Sequence, residues 1–345
     1  MGIIIRMKRL KAYKFRLYPT QTQIDQLEVE FGNARFVWNH ALEMRSKAYR
    51  RRKESLNYVG LNKHLTHLKR TTRFDWLNSS TACVLTQKLI DQDKAFKSFF
   101  DGRAQYPKFK KKSHAQSIRF QLDQRHVARN YRPAELLKLP KIGELNIRWS
   151  QIPGGIPKMV TVSKTAAGKY FVSFACEVEI EHAPKTGKIV GVDVGVKDVV
   201  VTSDGFHSGA PRFTYKNEKR LRKAQRILSR RTKGSKRWHK QRIAVARIHE
   251  DISNCRKDFL HKLTTKLVRE NDVICLEDLN VSGMMKNGKL SKAIADVGMF
   301  ELKRQLEYKA NWYGKEIITI SRWFPSTRMC SGCGQLHDMK LDDRV

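Results

Sequence analysis

The sequence predicts an α+β chain of several domains: a small β-barrel interrupted by a helical insertion, then an α/β domain. Three observations carry this reading. Basic and apolar residues alternate with period two in Lys11-Ala-Tyr-Lys-Phe-Arg-Leu-Tyr18, and short alternating segments return between residues 117 and 178. Between them, residues 21–100 space their apolar side chains at helical intervals. Beyond the linker Ala183-Pro-Lys-Thr-Gly187, two apolar runs flank a long basic helical stretch: Ile189-Val-Gly-Val-Asp193 and Val273-Ile-Cys-Leu-Glu277.

Each element follows from local chemistry. Pro19 ends the first strand, and Thr20 is placed to cap the helix that follows. Ile24, Leu27 and Phe31, then Leu61, Leu65 and Leu68, then Leu85, Leu89, Phe96 and Phe99 mark helical faces. Residues 21–105 therefore read as a helical recognition insertion, helix-turn-helix-like at its start, with basic faces over Arg45–Lys53 and Lys63–Arg73. Strands are expected at Ser117–Gln121, Leu136–Leu139, Glu144–Trp149, Lys158–Lys164 and Tyr170–Val178, with turns at Pro153-Gly-Gly155 and Ala167-Gly168. Short strands with turn residues between them suggest a barrel, here residues 1–20 with 106–183. Residues 188–345 form the last domain. Its order is two strands around Gly195-Val-Lys197, a helical pair over 216–270 broken at Gly234-Ser235, a strand at 273–277, a helix at 299–313 and a strand at 316–320.

The two apolar runs read as strands buried on both faces. An acid at the end of such a strand is costly unless a cation meets it. Asp193 and Glu277 end the two runs, and cleavage of a phosphodiester by two metal ions needs acids of this kind brought together. If the strands are neighbours, both acids face one site. The alternative is a capping or solvent-facing acid at each strand end, the reading given to Asp198 and Asp278.

Charge points to the partner. The 345 residues hold 69 Lys+Arg against 33 Asp+Glu, a formal net charge of +36, which calls for a polyanion. With 40% hydrophobic residues the chain is no disordered basic tail. In Tyr106-Pro-Lys-Phe-Lys-Lys-Lys112 the aromatics are suited to stack on bases while Lys108, Lys110 and Lys111 meet phosphates. On the basic helical pair, Arg222, Lys223, Arg230, Arg231, Lys236 and Arg237 are the nucleic-acid candidates. No segment approaches the roughly 18 apolar residues of a spanning helix. The apolar start is too short for a signal peptide, and Met7 offers a second start. A cytoplasmic, nucleoid-associated protein without a membrane partner is expected.

Of six cysteines, Cys83, Cys176, Cys255 and Cys275 stand singly and read as buried thiols rather than a disulfide framework. Cys330 and Cys333 form a CxxC, half of a tetrahedral zinc set. His337 reads as a surface residue.

Six motifs in order complete the picture: Tyr13-Lys-Phe-Arg-Leu-Tyr-Pro-Thr20, Arg35-Phe-Val-Trp-Asn39, Tyr106-Pro-Lys-Phe-Lys110, Gly191-Val-Asp-Val-Gly195, Leu276-Glu-Asp-Leu-Asn280 and Cys330-Ser-Gly-Cys-Gly334. Together they resemble the TnpB/OrfB family of insertion-sequence proteins, relatives of compact type V CRISPR effectors. The resemblance runs from about Lys8 to the end. It implies a RuvC-like (RNase H-like) domain over 188–345 with part of a zinc ribbon at 321–345. It further implies a guide RNA from the element's own end, a double-stranded DNA target and Mg²⁺-dependent DNA cleavage. Asp193 and Glu277 match the first two catalytic acids, and Cys330 and Cys333 match the first half of a Zn²⁺ site. Family members continue into a second CxxC and a third catalytic Asp, whereas this sequence stops at Leu341-Asp-Asp-Arg-Val345. Asp338, in Leu336-His-Asp338, does not match the third acid. Impaired cutting is therefore expected, with an RNA-guided DNA-binding repressor as the alternative. A general basic RNA-binding protein would leave the paired strand-end acids unexplained.

Overall fold

Thr20 is where the first strand gives way to a helix. Its Oγ1 accepts from the Gln23 amide at 3.3 Å, and Gln23 Oε1 accepts from the Thr20 amide at 3.1 Å, a reciprocal capping box. The computed structural model describes residues 6–113, 115–325, 329, 333, 335 and 336. It divides into two compact units, residues 8–179 and residues 180–345 with the first seven.

In the first unit, β1 (Arg6–Leu17) leads into α1 (Gln21–Arg52), one uninterrupted helix that ends at Lys53 in the left-handed conformation. A turn then leads to α2 (Tyr58–Leu68), a 3₁₀ segment (Thr72–Ser79) and α3 (Ala82–Phe100). Glu30 is fully buried in α1 and holds the start of α3: its Oε1 accepts from the Thr81 amide at 2.8 Å and the Thr81 hydroxyl at 2.7 Å. β2 (Gln116–Gln121) and the short helix α4 (Gln124–Asn130) follow. Then come β3 (Tyr131–Arg132), β4 (Leu136–Leu139), β5 (Gly143–Glu144), β6 (Ile147–Arg148), β7 (Pro157–Lys164) and β8 (Tyr170–Glu181).

These strands do not close a barrel. They form an open five-stranded sheet, β2-β7-β8-β1-β6, and a separate three-stranded one, β3-β4-β5. The expected strand Glu144–Trp149 is split into two pairs of residues, so β6 is a two-residue edge with little ladder to offer. At the other edge α1 and α3 pack against β2. Leu27, Phe31 and Ala34 of α1 and Val84 of α3 join the sheet's own Phe15, Phe120, Val160, Val172 and Phe174 in one core. Helices cover the apolar face that further strands would cover in a barrel.

The second unit carries a four-stranded sheet, β10-β9-β11-β12. β9 (Ile189–Asp193) pairs antiparallel with β10 (Val201–Thr202) and parallel with β11 (Val273–Glu277), which pairs parallel with β12 (Glu316–Ile320). Between β10 and β11 run α5 (Phe213–Lys216), α6 (Glu218–Ser229) and α7 (Lys236–Glu270). The break at Gly234-Ser235 holds: Gly234 has φ 87°, and Ser235 caps α7 by accepting from the Trp238 amide at 3.1 Å. α8 (Val281–Met284), α9 (Ser291–Val297) and α10 (Met299–Tyr313) precede β12.

The apolar runs are buried on one face only. Val190, Val192, Ile274 and Leu276 pack against Leu260, Leu263 and Leu267 of α7 and Leu302 and Leu306 of α10. The alternate residues are not covered: Ile189 is 70% exposed, and Val273 and Cys275 are half-buried. An all-apolar run came from valine and isoleucine serving as strand formers on the less covered face. The thiols differ from expectation too: Cys176 is buried, Cys83 and Cys275 partly so, and Cys255 is exposed on α7.

Two buried polar knots fix the helices. Lys309 of α10 donates to the His261 carbonyl at 2.8 Å, Thr264 Oγ1 at 2.7 Å and Thr265 Oγ1 at 2.8 Å, all on α7. Burial pushes its ammonium down to about 8. Arg256 of α7 donates to the Asp296 carbonyl at 2.8 Å and its carboxylate at 2.9 Å, and the same carboxylate accepts from the Thr214 hydroxyl at 2.7 Å. At the base of the sheet, Asp272 accepts from Lys315 and from the amides of Thr186 and Gly187, which pins the linker to β11 and β12. Those bonds, with the Lys315 ammonium foremost, hold its carboxyl well below the usual carboxylate range.

Candidate active site

Parallel pairing sets the geometry of the two acids. Val192 of β9 lies opposite Leu276 of β11, so Asp193 and Glu277 follow one step later at the carboxyl ends of neighbouring strands. Side chains alternate along a strand. With Val192 and Leu276 buried against the helices, Asp193 and Glu277 both emerge on the opposite face. Ligand sites in open α/β sheets form outside the carboxyl ends of the strands, where both acids sit.

The neighbourhood keeps Asp193 open. Among the described residues no hydrogen bond or ion pair engages its exposed side chain. The turn after it is tight: a Cβ at Gly195 would lie 3.0 Å from the Asp198 carbonyl oxygen, which accounts for glycine there. Asp198 accepts from the Gly209 amide at 2.8 Å and lies 3.6 Å from His207 Nδ1, so it is the structural strand-end acid the sequence suggested. Asp278 is another. Arg322 and then Lys303, the latter at 3.2 Å, hold its carboxyl below its ordinary value. Asn280 caps α8 by accepting from the Gly283 amide at 3.0 Å.

Beside Glu277 opens a cleft of about 490 Å³, lined among others by Val194, Asp278, Lys303, Glu307 and Arg322. A site here would thus combine the open Asp193 carboxylate and Glu277 with two cations that share the Asp278 carboxylate. Lys303, Glu307 and Arg322 were not singled out in the sequence. Lys303 and Glu307 come from α10 and Arg322 from the turn just past β12, and only the fold brings them to the cleft.

The basic candidates fall into two groups. On the hairpin of α6 and α7, Lys223, Arg230, Lys236 and Arg237 are exposed; Arg222 pairs with Glu218 at 2.9 Å, and Arg231 donates to the Arg237 carbonyl at 2.5 Å. Ala224, Ile248 and Ile252 pack the hairpin together, so its charges sit on a rigid support. In the other unit, Lys108 and Lys111 are exposed, but Lys110 is half-buried with its ammonium 4.0 Å above the Trp38 ring. Tyr106 and Phe109 are both exposed, and the Tyr106 ring also meets Phe96 and Phe99 edge-on.

Cys333 is described and exposed; Cys330, His337 and Asp338 lie outside the described residues, as does most of the partial zinc ribbon. Met329 and Leu336 pair in an isolated antiparallel bridge.

Residues 173–288 match a family model described as "Probable transposase" (OrfB_IS605), residues 7–54 its helix-turn-helix domain and residues 300–345 the Cas12f1-like TNB domain. A Streptomyces pristinaespiralis protein named "Putative RNA-guided DNA endonuclease" is 42% identical over 328 residues, covering 94% of this chain and 80% of the relative. InsQ of Escherichia coli K12, which bears the same description, is 34% identical over 344 residues, covering 95% of this chain and 84% of the relative. Cas12f1, solved by cryo-EM in a complex with sgRNA and target DNA, shares the fold with a TM-score of 0.54 at 14% identity, over 96% of this chain and 92% of Cas12f1. The fold and the matched segments thus go with a class of transposase-associated proteins. The chain belongs to the TnpB/OrfB family.

Proposed function

We propose that the chain is an RNA-guided, Mg²⁺-dependent DNA endonuclease of the TnpB type, with Asp193 and Glu277 as its metal-holding acids. The adjacency of those two acids on neighbouring parallel strands is the observation that carries this reading. Among the described residues no larger group of His, Cys, Asp and Glu gathers at one point. Two carboxylates suit Mg²⁺, which binds through one or two of them, keeps several waters and shares substrate phosphates. When bound there, the ion supplies an activated water and stabilises the leaving oxygen.

The chain's own residues do the rest. Asp193 and Glu277 fix where the scissile phosphate is drawn. Lys303 and Arg322, locked on Asp278, keep that third acid out of the site. The +36 charge, concentrated in part on the exposed hairpin of α6 and α7, holds the polynucleotides. The relatives' names and the Cas12f1 complex support guide RNA and target DNA as those polynucleotides. Within the same reading Cys330 and Cys333 contribute to a structural Zn²⁺ site, which their CxxC spacing suits.

The test is co-expression with RNA transcribed from the DNA flanking the gene. RNA should co-purify with the protein, and duplex DNA matched to it should be cut when Mg²⁺ is added. Guided binding without cutting would make the chain a DNA-binding repressor instead. No retained RNA would overturn the guided reading altogether.

A further inference from the structure

The first unit holds a recess that the active site does not use. It encloses about 260 Å³ between α1 (Phe31, Ala34, Arg35), Lys88 of α3, Lys110, and the strand β2 with its approach (Gln116, Ser117). Among the described residues three cations stand in its wall and no carboxylate does. Lys88 is the most unusual of them. It is 3% exposed, and its one hydrogen bond among the described residues is a long one, 3.4 Å to Asp91 Oδ2. Asp91 is already claimed by Arg119. Glu28, the acid that acts on Arg35, is engaged by Lys164 at 2.5 Å and by Tyr170 at 3.3 Å. A buried cation with so little compensation is destabilising unless an anion joins it.

The recess is also built rather than fortuitous. Asn39 clamps Lys110 by donating to its carbonyl at 3.0 Å and accepting from its amide at 2.8 Å. Trp38 donates to the Lys108 carbonyl at 3.0 Å. Arg35 donates to Gln116, whose own amide donates to the Lys111 and Lys112 carbonyls at 3.2 and 3.3 Å. The lysine-rich loop is thereby tied onto α1 and β2, which sets Lys110 in the wall of the recess beside Arg35 and Lys88. Preset donors of this kind lose little freedom on binding and favour a tetrahedral oxyanion.

We propose that Arg35, Lys88 and Lys110 form a pocket for one backbone phosphate of a single-stranded stretch of the bound guide RNA. The proposal rests on the guided reading above. A duplex presents its phosphates on a stiff outer ridge, whereas a flexible single strand can lower one phosphate into a recess. Phosphate completes the charge that Asp91 leaves unbalanced.

Salt dependence of RNA binding tests it. Lys88→Met should weaken binding of the co-purifying RNA about tenfold near 0.1 M salt and flatten the log–log salt slope by about 0.7, one phosphate's worth for a single strand. Ser117→Asp, at an exposed position on the rim, should do the same by supplying the pocket with its own anion. Without RNA, both variants should melt no lower than wild type, which separates lost binding from lost folding.

Acidity gives an RNA-free check. Burial first, then the neighbouring Lys110 and Arg119, pushes the Lys88 ammonium down to about 7. Asp91, Lys110, Arg119 and Arg35 are the charged groups around it. A base whose proton is held less tightly when folded costs stability fully below about 7 and less as pH climbs towards 10.5. The melting temperature of wild type should therefore rise between pH 7 and 9 more than that of Lys88→Met.

If wild type binds RNA and Lys88→Met leaves affinity and slope unchanged, the pocket is overturned while the guided reading stands. If wild type binds no RNA, the guided reading itself fails. Stabilisation by inorganic phosphate with no change in RNA slope would overturn RNA as the source of the phosphate.

Discussion

Replacing Asp193 by alanine should abolish Mg²⁺-dependent cutting of matched DNA and leave guided binding of that DNA intact. Asp193 is exposed at the carboxyl end of β9, contributes nothing to the core and engages no partner among the described residues, so the fold has no reason to suffer. Metal-borne stabilisation of a phosphoryl transition state is worth several kcal/mol. A loss of about 4 kcal/mol is a rate lower by roughly 10³. Glu277→Gln should cost a similar factor, and the double variant little more than either alone, because residues that hold one ion act as a unit. Single-turnover cleavage, with binding measured in parallel, reads both effects. A variant that binds no DNA would instead assign Asp193 a structural role.

Phe174→Ala should have the largest effect on stability. Phe174 is fully buried on β8, and its ring lies 5.7 Å from Phe15, 5.5 Å from Tyr131 and 5.6 Å from Trp149, centroid to centroid. Truncating a buried Phe costs about 4 kcal/mol through lost transfer energy and the cavity left behind. Against a total stability of roughly 5–15 kcal/mol, that is a large share. For a unit of this size the melting temperature should fall by about 12 °C. Phe109→Ala, at a ring 54% exposed, should leave it unchanged. Thermal unfolding followed by circular dichroism distinguishes the two.

Much of this architecture is legible in the sequence because it is local. The period-two run at Lys11–Leu17, the Thr20 cap, the Gly234-Ser235 break and the strand at 273–277 each follow from neighbours within a few residues. That the first sheet stays open where the sequence suggested a barrel was not legible, because closing a sheet depends on long-range pairing, and here a two-residue edge and two covering helices stop it. The two acids were legible as candidates, yet only the parallel register of β9 with β11 makes them neighbours. Exposure of one sheet face was hidden by valine and isoleucine, which suit a strand whether or not it is covered. The Lys88 recess could not have been read at all. Arg35, Lys88 and Lys110 lie far apart in the chain and in three different segments, and nothing in their spacing predicts that they converge. The pinning of Asp278 by Lys303 and Arg322 is of the same kind.

The most direct test of the central claim, that Asp193 and Glu277 jointly hold a divalent ion, is Mn²⁺ binding followed by electron paramagnetic resonance. Wild type should show a site that Asp193→Ala and Glu277→Ala each remove, with Mg²⁺ competing for it. Mn²⁺ binding that survives both substitutions would contradict the claim and return the two acids to the surface.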